Sequence, residues 1–125
     1  MKIVVAPNAL KGSLGAAAAA EAMAAGVQLA APEAEVLQVP VADGGDGLLE
    51  VLESGHDLQR IPCSVTGPLG SPVSAALLYS AGRRLAIIEM ATAAGLALLP
   101  PTGLDPMQAS TYGVGELLRH ALDQG

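Results

Sequence analysis

Short apolar runs alternate with small-residue and turn segments along the chain. Lys2 to Ala6 (KIVVA) is β-branched with no polar alternation, the pattern of a strand buried on both faces of a parallel sheet, and Pro7 and Asn8 end it. Leu14 to Ala31 is dominated by alanine, the best helix former, with Ser13 placed to cap its start and Pro32 to stop it. The run Ala16 to Ala20 reads as compositional bias within that helix. Glu35 to Ala42 (EVLQVPVA) predicts a second strand with Pro40 near its end. The loop Asp43-Gly44-Gly45-Asp46-Gly47 follows, then a short amphipathic helix from Asp46 to Glu53, with Gly55 as its C-terminal stop.

Strand, helix, strand, helix is the opening of a parallel, three-layer α/β sheet of the Rossmann or flavodoxin-like kind. The pattern then changes. Leu58 to Thr66 and Pro72 to Tyr79 read as strands joined by the turn Gly67-Pro68-Leu69-Gly70-Ser71. Ala81-Gly82-Arg83 is a second turn, leading into Leu85 to Met90 (LAIIEM). Three strands on short turns predict an antiparallel meander, hence a change of sheet near residue 60: residues 1–60 open one α/β domain and 61–125 begin a second with a mixed sheet. The small-residue segment ATAAGLALL, the breaker Pro100-Pro101-Thr102-Gly103, and a helix from Gly113 to Gln124 complete the chain. Gly125 stands where a helix-ending glycine belongs, and a strand is expected next, so the fold reads as incomplete.

Composition narrows the picture. Of 125 residues, 51% are hydrophobic and 14% charged, which argues for a folded chain. With two Tyr and no Trp or Phe, the core must be built from aliphatic side chains. The net charge is −6, and the basic residues Lys2, Lys11, Arg60, Arg83, Arg84 and Arg119 are scattered, which excludes a nucleic-acid surface. The longest uncharged stretch, Ile61 to Gly82, carries Pro62, Pro68 and Pro72 and makes a poor membrane helix. One cysteine, Cys63, excludes an intrachain disulfide and suits a reducing compartment. The chain reads as soluble and cytoplasmic, with no membrane partner; self-association as a homo-oligomer is compatible with it.

Four segments can carry chemistry. The loop Asp43 to Gly47 lies between a strand and a helix, where open α/β sheets bind ligands. Its glycines allow close backbone approach, and Asp43 and Asp46 can hold Mg²⁺, which takes few carboxylates and keeps company with phosphates. A tight turn with Asp46 as helix cap explains the composition equally well. An EF-hand from Asp43 fails at Gly45, Gly47 and Ser54, and a calcium nonapeptide fails at Leu49. The second segment, Ala6 to Ser13, precedes the first helix on the same expected edge; Lys11 there suits a phosphate or carboxylate, although exposed loop lysines are common. The third is Glu89, a carboxylate closing an apolar strand, either a ligand or a paired structural acid. The fourth is Ser110-Thr111-Tyr112-Gly113-Val114-Gly115, where hydroxyls and glycines at a helix start can receive an anion or simply cap the helix. A dinucleotide motif fails at Leu118, and no Gly-Lys pair exists for a Walker A loop. His56 and His120 stand alone and read as surface or packing residues, and Cys63 has no nearby histidine to make it a nucleophile.

Together, APNALKGSL, PVADGGDGLLEVL, VTGPLGSPVSA, IEMATAAGLALLP and STYGVGELLRHALD resemble the type-1 glycerate kinases, in that family's order and spacing across essentially the whole chain. The resemblance implies an α/β enzyme with two unlike domains, one inserted in the other. It implies transfer of the γ-phosphoryl of ATP to D-glycerate with Mg²⁺. On it, Lys11, Asp43 and Asp46 are the expected catalytic residues, with Asp43 and Asp46 also at the metal. Ser13, Gly44, Gly45, Gly47, Glu89, Tyr112, Gly113 and Gly115 are expected around substrate or phosphate. The chain departs from the family at Asn8, Ala9, Gly12 and Val114, where polar groups are usual. It also resembles only the amino-terminal part of a member. A non-catalytic remnant or ligand-binding module of the same fold therefore stands as the alternative.

Overall fold

The computed structural model describes residues 1–53 and 57–125; the expected stop at Gly55 and the histidine at 56 lie outside the described residues. The chain divides into two compact units, Met1–Val51 and Leu52–Gly125. The division falls ahead of residue 60. The segment leading into the second sheet belongs with that sheet, because Arg60 binds Glu53 through Nε at 2.9 Å and Nη2 at 2.8 Å. That hydrogen bond and the guanidinium charge hold the exposed Glu53 carboxyl below its usual range.

In the first unit, β1 (Lys2–Val5) and β2 (Glu35–Gln38) pair in parallel, Lys2 opposite Glu35 and Val5 opposite Gln38. Pro40 lacks an N–H and β2 ends before it, shorter than predicted. The two segments nevertheless stay bonded beyond the strands, Val39 N–H to the Val5 carbonyl (2.8 Å) and Val41 N–H to that of Pro7 (3.0 Å). The crossover is α1 (Ala16–Ala30), which packs on both strands. Its buried face is Ala16, Ala19, Ala20 and Ala24, spaced at helical periodicity. The opposite side of the sheet presents Val4 and Leu37, neighbours in register, about half exposed.

The predicted cap of α1 needs correcting. Ser13 is drawn back into a loop in which the Leu10 carbonyl accepts from Ser13 N–H (2.9 Å), Leu14 N–H (3.1 Å) and Ser13 Oγ (3.3 Å). Gly12, at φ +75°, permits this reversal. The helix consequently starts later, with Gly15 at its cap and no side-chain bond there.

Helix α2 (Leu48–Glu53) carries the division between the units. In the second unit β3 (Gln59–Thr66), β4 (Pro72–Ser80) and β5 (Leu85–Ile88) form the expected antiparallel meander, in that order. Gly67 N–H closes the first turn on the Ser71 carbonyl at 2.7 Å, with Gly70 at φ +88°. The small-residue segment after β5 forms a one-turn helix, α3 (Ala91–Ala94), and 3-10 turns at Leu96–Leu98 and Pro101–Gly103. The chain closes with α4 (Tyr112–Leu122).

Alternate residues of two strands, Cys63 and Val65 on β3 and Ala75 and Leu77 on β4, meet Ala93 and Leu117 in one buried cluster. Val114 and Ala121 extend the helix side of it at heptad-like spacing. Burial pushes the Cys63 thiol above its ordinary range, and Sγ–H lies 3.6 Å from the Ile61 carbonyl. Cys63 should therefore resist iodoacetamide at pH 8 in the folded protein and react once urea unfolds it, because the thiolate is the reacting form. Equal labelling rates in both states, followed by mass spectrometry, would contradict this packing.

Candidate functional site

Parallel pairing sends the segments after β1 and β2 out at one edge of the first sheet. Lys11 and Ser13 stand on one of these loops, both exposed; Asp43 and Asp46 stand on the other, also exposed. Asp43 Oδ1 accepts the Gly45 N–H at 3.1 Å, so one carboxylate oxygen shapes the loop. Gly44 and Gly47 lie at φ +95° and +90°, conformations that side chains rarely adopt. Asp46 is part of the turn rather than the start of the helix: Leu48 N–H reaches the Gly45 carbonyl (3.3 Å) and Val51 N–H that of Gly47 (3.1 Å), so α2 begins two residues later than predicted. The buried Leu49 anchors this end of the loop. Both loops thus leave from the same edge of the two-stranded sheet, with Lys11, Asp43 and Asp46 exposed on them.

In the second unit, Ser110, Thr111, Tyr112 and Gly115 line an open depression of about 560 Å³ together with Glu116 and Arg119. Ser110 Oγ accepts the Tyr112 N–H at 3.1 Å, while Ser110 N–H donates to the Pro68 carbonyl at 2.9 Å. Thr111, at the helix cap, makes no side-chain capping bond. Gly113 is buried, and a Cβ there would overlap the Thr66 carbonyl oxygen; Gly115 has open space around it. Gly113 thus brings two backbones together, and Gly115 keeps the depression clear.

Sequence reasoning passed over Glu116 and Arg119. Glu116 stands three residues after Gly113 and one before Leu117, both buried on α4. Its carboxylate accepts the Thr66 N–H at 2.6 Å. Arg119 pairs with Asp123 at 3.4 Å, an exposed contact.

Glu89 is buried, 5% exposed, directly after β5. Its carbonyl accepts from Thr92 Oγ1 (2.8 Å) and Thr92 N–H (3.2 Å), shaping the start of α3. The strand directs it toward the Thr66 end of the sheet, but β5 stops at Ile88, level with Leu77 and Ile61, well short of Thr66.

A profile of the glycerate kinase family matches residues 3–125. A glycerate kinase of Bacillus subtilis is 44% identical over 125 residues, covering 100% of this chain and 33% of that protein. A glycerate kinase of Haemophilus influenzae and a glycerate 2-kinase of Escherichia coli K12 are each 42% identical over 125 residues, with the same coverage. A crystal structure from Salmonella typhimurium LT2, assigned as glycerate kinase 2, superposes with a TM-score of 0.70 at 44% identity, over 98% of this chain and 33% of that one. The chain spans about a third of the length of the curated relatives it matches. No helix among the described residues is long and apolar enough to cross a membrane. The ordered motifs, the parallel and antiparallel sheets and these likenesses agree: the chain belongs to the glycerate kinase family.

Proposed function

We propose that this chain supplies the amino-terminal part of a cytoplasmic enzyme that transfers the γ-phosphoryl of ATP to D-glycerate. The observation that carries the proposal is the shared edge of β1 and β2, from which Lys11 and the Asp43–Gly47 loop both depart. Phosphoryl transfer is chiefly positioning and neutralisation of charge. Lys11 would steady an anionic oxygen, with the Ser13 hydroxyl near it in sequence. The Gly44-Gly45 backbone would lie along the ligand. Within the second unit, Glu89, Tyr112, Gly113 and Gly115 are the residues proposed to face substrate or phosphate.

The donor set is compatible with magnesium in one way. No group of three or more His, Cys, Asp or Glu among the described residues is arranged to hold a metal. Asp43 and Asp46 form a two-carboxylate loop, and Mg²⁺ commonly takes one or two carboxylates and completes its shell with water and phosphate oxygens. Mg²⁺ would supply neutralisation of phosphate charge. Asp43 would orient the loop through Gly45 while leaving its second oxygen for the ion or for a glycerate hydroxyl.

The test is a chain extended to family length and assayed for phosphorylation of D-glycerate by ATP. Asp43→Asn should lower turnover at least about tenfold, a loss of roughly 1.4 kcal/mol of transition-state stabilisation. Full activity of that variant would remove Asp43 from the mechanism. The alternative, a ligand-binding module without turnover, draws on Ala9, Gly12 and Val114, which carry no polar side chain in the segments proposed to meet a ligand. ATP or glycerate binding by the 125-residue chain, with no product formed by the extended chain, would favour it.

A further inference from the structure

We infer that Glu116 is a positioning residue for the segment Ser110–Gly115, holding the start of α4 against the end of β3 through the Thr66 amide. The inference deepens the proposal above, which places this segment beside substrate or phosphate.

Thr66 is the last residue of β3, at the border of the three-stranded sheet, and its N–H is taken by a side chain fifty positions later rather than by a strand. The acceptor is a carboxylate, which makes this a charge-assisted hydrogen bond, the stronger class. Two further contacts close the same junction. Gly113 permits the α4 backbone to approach the Thr66 carbonyl, and Ser110 N–H binds the Pro68 carbonyl at 2.9 Å. The cap residue Thr111 gives no side-chain bond and Ser110 Oγ accepts only the nearby Tyr112 N–H, so these junction contacts tie the turn to the sheet. Glu116 also lines the depression with Ser110, Thr111, Tyr112 and Gly115. Arg119, the cation of that depression, pairs with Asp123.

The test uses the 125-residue chain and its Glu116→Ala and Glu116→Gln variants, read by amide exchange and by ¹H–¹⁵N shifts during titration with magnesium ATP. In E116A the Thr66 amide should exchange about tenfold faster or more, the order expected for losing a hydrogen bond to a charged group. Amides of the central strand β4 should keep their protection. Magnesium ATP should shift the Gly113 and Gly115 amides of the wild type, less so in E116A, with E116Q recovering part of both effects because its amide oxygen still accepts without the charge. If E116A does not fold, Glu116→Asp, one methylene short, supplies the same readouts. Unchanged Thr66 exchange would overturn the inference, as would loss of protection spread evenly through β4 or failure of E116Q to rescue. If magnesium ATP shifts no amide in the wild type, the phosphate-facing reading of this segment falls, and Thr66 exchange alone then judges whether Glu116 pins the helix.

Discussion

Replacing Gly113 by alanine should destabilise the protein by about 2–4 kcal/mol, against the usual trend for a helix interior. Glycine to alanine within a helix normally stabilises by roughly 0.5–1 kcal/mol, because alanine loses less backbone freedom on folding. Here the new methyl would overlap the Thr66 carbonyl oxygen and lie 3.3 Å from Val65 Cγ2. Backbone cannot swing aside as the end of a flexible side chain can. Relief requires α4 to lift from β3, which would strain the Glu116–Thr66 and Ser110–Pro68 hydrogen bonds. Gly115→Ala is the matched control: it lies in the same helix, with nothing within 4 Å of its Cβ position. It should leave stability unchanged or raise it by up to about 1 kcal/mol. Urea unfolding followed by circular dichroism separates the two. A Gly113→Ala variant as stable as wild type would mean that the two backbones do not approach so closely.

Leu117→Ala should cost about 2–5 kcal/mol, the range for deleting a buried leucine side chain and leaving a partial cavity. Leu117 is fully buried at the centre of the cluster formed by Cys63, Val65, Ala75, Leu77 and Ala93. The cluster is built of aliphatic side chains, with only Tyr79 packed at its margin as an aromatic. No large ring is at hand to fill the space, so collapse around the deletion must come from small neighbours. Folded domains are stable by about 5–15 kcal/mol, so this one change takes a large share. Leu77→Ala should behave similarly, and the double variant should depart from the sum of the two singles, because neighbouring deletions share a cavity. Leu122, 78% exposed on the same helix, provides the contrast: its alanine variant should stay within about 0.5 kcal/mol of wild type. A Leu117→Ala variant with an unchanged urea midpoint would place the core elsewhere.

The two loops that leave the first sheet were legible in the sequence. The Asp43–Gly47 loop stands out because three glycines and two acids fall between an apolar run and an amphipathic one. Its position after β2, and that of Lys11 after β1, follows from reading both runs as parallel strands. The details near chain reversals were less legible. Ser13 has the right chemistry for a helix cap, but Gly12 adopts φ +75° and folds Ser13 back onto the Leu10 carbonyl. A local propensity was overruled by a loop that satisfies its own backbone groups. Glu116 escaped notice for a different reason. Its partner Thr66 lies fifty residues away, and no local pattern encodes such a pairing.

The sequence by itself determined the alternation of elements, the aliphatic character of the core and the family, because hydrophobic periodicity, turn residues and motif order are local properties of the chain. Only the tertiary structure decided which glycine serves packing and which lines open space. Gly113 and Gly115 are two residues apart in one helix, yet one is pressed on the Thr66 carbonyl and the other faces solvent. The difference is a matter of helix rotation against a strand. Rotation is set by the packing of Leu117 and Val114 into the sheet, a sum of contacts distant in sequence.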